Sequence, residues 1–146
     1  MFDPKKLKTV SDAHRYMENA RKHGRPDLVE AAFRRLCELE AGNRADPLVL
    51  DFWRVVAAVE ELLRQKHGRI VRAQRTRTKA KEKGEIACLA DWAMGAAETE
   101  GFKMLVEANL ADHTGEYLVV KYAEKFSSEA VSAAQARLDH HGIQVK

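Results

Sequence analysis

The chain has almost no cysteine, little proline and no long apolar run, and each shortage removes a class of protein. The two cysteines, Cys37 and Cys88, stand singly in apolar surroundings. They make neither a disulfide framework nor a zinc knuckle, and two buried, reduced thiols point to a cytoplasmic protein. Three prolines and eight glycines in 146 residues exclude a collagen-like or low-complexity chain. No stretch approaches the apolar length that crosses a bilayer, so no membrane partner is expected. The opening MFDPKKLKTVSDAH lacks the continuous apolar region of a secretory signal. Gly42, Gly68, Gly84 and Gly95 are isolated, which leaves no glycine-rich loop to cradle a phosphate. The histidines, His14, His23, His67, His113, His140 and His141, form no HExxH or other compact metal pattern. Asp112-His113-Thr114 reads as a capping sequence rather than a catalytic one. Local spacing thus assigns no catalytic residue, no metal and no cofactor.

What is present is helical punctuation. Ser11 is the expected cap of a first helix through Ala13, Tyr16, Met17 and Ala20, ending at Gly24. Pro26 and Asp27 open a second, which runs to Gly42 with Leu28, Ala32, Leu36 and Leu39 near one face. Asp46-Pro47 repeats the start signal for a long third helix to about Gly68. Short helices follow over Glu85 to Met94, where Ile86, Leu89 and Ala90 face one way, and over GFKMLVEANL. EYLVVKY is β-branched and aromatic enough for a strand. Leu118, Tyr122 and Phe126 nevertheless repeat at i, i+4 and i+8, and no partner strand is visible, so a helix capped by Thr114 or Asp112 is expected. Ser127 caps a last helix that Gly142 closes. Trp53 and Trp92 read as core anchors, and Tyr117 and Tyr122 as packed rings with surface hydroxyls.

The expected fold is all-α, a small bundle of six or seven helices with a long basic central helix. Residues 1–68 make a three-helix N-terminal lobe. Residues 69–146 supply the basic helix and a C-terminal helical lobe, the two lobes sharing one core.

The basic helix is the functional signal. RIVRAQRTRTKAKEKG, residues 69–84, holds four arginines and three lysines against one glutamate. From Arg64 to Lys83 nine basic residues face one acid, a formal +8, whereas the rest of the chain sums to −5. Such asymmetry attracts an anionic partner. On a helix, Arg72, Arg75, Lys79 and Lys83 form one stripe, extended by Arg69, while Arg77 and Lys81 lie off it. Gln74, Thr76 and Thr78 can add hydrogen bonds to phosphate or a base edge. The candidate nucleic-acid-binding residues are therefore Arg69, Arg72, Gln74, Arg75, Arg77, Lys79 and Lys83. The expected partner is duplex DNA or RNA, because neither tryptophan lies within the band as a platform for unpaired bases.

Two other functional classes fit the same residues. In one, an adaptor docks an acidic protein on the band. In the other, a small metal-dependent helical enzyme assembles its site from distant side chains. A solvated linker helix is the competing structural account, its charges met by Glu60, Glu61 or Asp91.

Overall fold

The structure, a computed structural model, describes residues 2–146. Among them the fold is all-helical, with eight α-helices and three short 3₁₀ turns. The helices are α1 (Val10–Lys22), α2 (Pro26–Ala41), α3 (Pro47–His67), α4 (Gln74–Lys83), α5 (Glu85–Met94), α6 (Glu100–Glu107), α7 (Gly115–Lys121) and α8 (Ser128–His140). The count is eight rather than six or seven. None of the described helices is long and apolar enough to cross a membrane.

The caps explain most boundaries. Asp46 Oδ1 accepts from the backbone N–H groups of Leu48 and Val49, and Pro47 needs no donor in the first turn. Thr114 caps α7 and Ser127 caps α8 by the same side-chain bond to a free N–H. Asp112 instead lies in the 3₁₀ turn before α7 and pairs with Arg34. The first cap differs from expectation: Thr9 Oγ1 accepts from Asp12 N–H, which places Ser11 inside α1. EYLVVK is helical, since Leu118 and Val119 are buried and the sheet neighbours a strand requires are absent among the described residues; Tyr122 ends the helix, and Phe126 follows a 3₁₀ turn instead of continuing it.

The long central helix is α3, and it is largely apolar rather than basic, with Asp51, Glu60 and Glu61 matched in number by Arg54, Arg64 and Lys66. It packs against α2, α6 and α7 and buries Phe52 completely. Phe52, not Trp53, is the core anchor. Trp53, one residue on and a hundred degrees around the helix, is half-buried at the edge. Trp92 stacks on Phe52, with ring centroids 5.6 Å apart and planes at 11°. One hydrophobic cluster runs from Leu7 through Met17, Leu36, Phe52, Leu89 and Val119 to Ala134.

The expected basic helix is shorter than its charge. Gly68, at φ 70° and ψ 15°, ends α3 in the left-handed conformation that glycine adopts without steric penalty. Residues 69–73 then cross in non-helical backbone, and only Gln74–Lys83 coil. Within α4 the single buried residue is Ala80, so little apolar area recommends a longer helix. Ile86, expected inward on α5, is 45% exposed.

Candidate nucleic-acid interface

Glu60 organises the basic segment. It sits near the end of α3 with 6% of its surface exposed. Burial alone would push its carboxyl above the ordinary carboxylate range. Four donor contacts reverse this. Arg77 grips both oxygens, Nε to Oε2 and Nη2 to Oε1, each at 2.7 Å. Ala73 N–H donates to Oε2 at 2.8 Å, and Arg72 Nη1 to Oε1 at 3.0 Å. The Glu60 carboxyl therefore lies below its usual value.

The same contacts explain where α4 begins. Ala73, its N-cap residue, offers no side-chain cap, and its own N–H is spent on Glu60. The carboxylate thus does from α3 what a capping residue does locally: it satisfies a backbone donor and sets negative charge beside the helix N-terminus. Trp53 supports the arrangement from below. The Arg77 guanidinium lies 5.6 Å from its ring centroid and that of Arg44 lies 4.8 Å away, while Trp53 Nε1–H donates to Glu85 Oε2 at 3.0 Å.

Lys79 pairs with Asp91 on α5. Just upstream, Arg64 forks onto Glu61, which also accepts from Gln65 and holds His14 at 2.7 Å. Burial opposes ionisation of Glu61 as it does for Glu60, and the Arg64, Gln65 and His14 bonds again carry its carboxyl below the usual value.

The candidate residues thus divide. Arg72, Arg77 and Lys79 are held by acids of this chain. Arg69, Gln74, Arg75 and Lys83 are exposed and have no acidic partner among the described residues. Lys81, which the helical wheel puts off the stripe, joins that exposed set. The stripe itself is broken, because Arg72 precedes the helix and turns inward to Glu60.

Two further polar knots leave no local pattern in the sequence, because their members lie far apart in the chain. Asp51 on α3 accepts from Lys121 Nζ at 2.9 Å, Tyr122 Oη at 2.6 Å and Arg54 Nη1 at 3.1 Å. The Tyr122 hydroxyl is therefore committed rather than free at the surface. Glu116, 2% exposed, accepts from Arg137 Nη1 at 2.9 Å. The helical positions of these residues are legible in the sequence; their pairing is not. Among the described residues no group of three or more His, Cys, Asp or Glu side chains is placed to hold a metal ion.

A pocket of about 570 Å³ opens beside α4, between α3, α6 and α7. Its walls include Val55, Val56, Val59, Phe102 and Leu105, with Arg75, Thr76, Thr99 and Glu100 among its polar members. Gly115 also lines it. A Cβ there would stand 2.5 Å from Trp92 Cε3, so glycine is what lets the indole lie against the start of α7. No protein-family model, curated protein or solved structure matches the chain.

Proposed function

We propose that this protein binds the phosphate backbone of duplex DNA or RNA, without catalysis, through the uncommitted cations of residues 66–83. One observation carries the reading. After Glu60, Glu61 and Asp91 have taken their partners, Lys66, Arg69, Arg75, Lys81 and Lys83 remain exposed with Glu82 as the one acid among them. The Glu60 clamp supports it, because it anchors a segment whose like charges would otherwise repel it from a folded position. Arg72 and Arg77 are then anchors, and the outward residues make the contacts. Backbone contact to a duplex is favoured over single strands, since Trp53 lies beside Arg44 and Arg77 and Trp92 is stacked on Phe52. The buried, reduced thiols of Cys37 and Cys88 support a cytoplasmic setting.

The test is binding of duplex DNA, duplex RNA and a single strand at two salt concentrations, with Arg69, Arg75 and Lys83 each replaced by glutamine in one variant. Duplex affinity should fall at least tenfold while helicity is retained. The slope of log affinity against log salt should flatten by roughly 0.9 for each phosphate that the variant no longer neutralises. Equal binding by the variant, or binding indifferent to salt, would refute the assignment.

An acidic protein partner is the second reading, and Ile70 favours it. This side chain is 65% exposed beside Arg69, an apolar anchor that a phosphate backbone does not use. Ile70→Ser separates the two: it weakens a protein complex and leaves duplex affinity unchanged.

A further inference from the structure

The pocket beside α4 has a lining and a mouth of different chemistry, and together they define a ligand. Val55, Val56, Phe102 and Leu105 are almost wholly buried and make its walls apolar. Between these inner walls a nucleobase is a poor occupant, because its polar edge would face hydrocarbon away from the polar residues of the lining and each unpaired group would oppose binding. An alkyl chain loses nothing there.

The mouth adds charge. Arg75 lines it, is exposed and has no acidic partner among the described residues. Opposite signs limit what it accepts. Glu100 also lines the pocket, and Glu116 lies on its wall with Arg137 as partner. With Glu116 matched by Arg137, Arg75 faces the one further carboxylate of Glu100, which suits a singly charged headgroup on Arg75 and disfavours a phosphate dianion. The volume, about 570 Å³, lies within the range of small-molecule sites.

We propose that this pocket binds a monoanionic amphiphile, an alkyl carboxylate whose chain enters between α3 and α6 and whose headgroup pairs with Arg75. The inference goes beyond nucleic-acid binding, because it concerns the apolar space behind the segment and needs no polyanion; the two readings share only Arg75.

The experiment is calorimetric titration of the full chain, without nucleic acid, by decanoate, dodecanoate, decanol and decyltrimethylammonium below their micellar concentrations. Decanoate should bind saturably at one site. Dodecanoate should bind roughly tenfold tighter, from two more buried methylenes. Arg75→Gln should weaken decanoate about tenfold, by loss of the charge-assisted hydrogen bond, and leave decanol unchanged. Val59→Phe, which fills the pocket from a half-buried position, should abolish binding of both. Methyl resonances of Val55, Val59 and Leu105 in the unmodified protein should shift with decanoate, giving a readout independent of how the variants fold. Absence of saturable decanoate binding would overturn the proposal. So would methyl shifts confined to other residues, or decyltrimethylammonium binding as tightly as decanoate. Each of these outcomes leaves the duplex-binding reading to its own salt-dependence test.

Discussion

Glu60 and Glu116 are both buried carboxylates held by arginine, yet the two arrangements are inverted. At Glu60 one acceptor collects several donors: the Arg77 fork, Arg72 and the Ala73 N–H. At Glu116 one donor serves several acceptors. Arg137 Nη1 bonds both Glu116 Oε2 and the Trp92 carbonyl, and its Nη2 bonds the Gly95 carbonyl at 2.7 Å. The carboxyls respond oppositely. Burial raises Glu116 and Arg137 only partly offsets it, whereas the donors around Glu60 overcome burial and lower it. A buried charge is stabilised by the number of partners turned toward it, so the residue whose loss matters most is the hub, whichever sign it carries.

The most damaging change is expected at Arg137. Arg137→Met keeps much of the side-chain volume but strands the Glu116 carboxyl and the carbonyls of Trp92 and Gly95. Urea denaturation should show a loss of about 3–5 kcal/mol, the range for removing one partner of a buried pair. If the loss is under about 1 kcal/mol, as for an exposed pair, Arg137 is not a hub.

Glu60→Gln should have a smaller effect, about 2 kcal/mol, because Arg72 and Arg77 are themselves partly exposed and regain water when released. Its signature is local. Amide exchange should accelerate at residues 72–77 and stay unchanged in α1 and α2. Uniform acceleration would mean that Glu60 supports the whole fold rather than this segment.

Acid titration separates the two carboxylates by the mildest of the three changes. Glu60, Glu61 and Asp51 have folded values below their ordinary ones, in each case with burial opposing and their bonded donors prevailing. Their contribution is fully present above the unfolded values, near 4.5 for the glutamates, and is lost as pH falls through the folded values. Glu116 has the reverse sign. Its raised value makes the folded state bind a proton more readily, so acidification relieves it. Melting temperature should therefore fall below about pH 4.5, less steeply in Glu60→Gln, whereas Glu116→Gln should alter the slope only above pH 4.5, where the raised Glu116 carboxyl takes up its proton in the folded state. Identical slopes in the two variants would erase the distinction drawn between the sites.

The helices are legible where the chain carries local stop and start chemistry. Asp46-Pro47, Pro26, Thr114 and Ser127 each act within three residues, and the structure follows them. Expectation and structure part where adjacent residues compete. Thr9 and Ser11 are both good caps, and Phe52 and Trp53 differ by one step on the same helix. Charge counting overstates the length of the basic helix, because it sees neither the turn at Gly68 nor the Glu60 carboxylate that meets Ala73 and Arg72. Glu60 and Asp91 can be named as partners for the band, since both are near in sequence. Which cations they take, and which remain outward, depends on how α3, α4 and α5 pack, and the pocket has no signature in any one segment.

Trp53 and Trp92 give the molecule an optical consequence. One indole lies beside Arg77 and Arg44 and donates to Glu85, so its surroundings include the anchored side of the basic segment. The other is stacked on Phe52, against the start of α7, and lines the neighbouring pocket. These are the chain's two tryptophans. Replacing either one by phenylalanine should therefore leave an intrinsic fluorophore that reports on one place alone, the charged segment from Trp53 or the pocket behind it from Trp92, with no label attached.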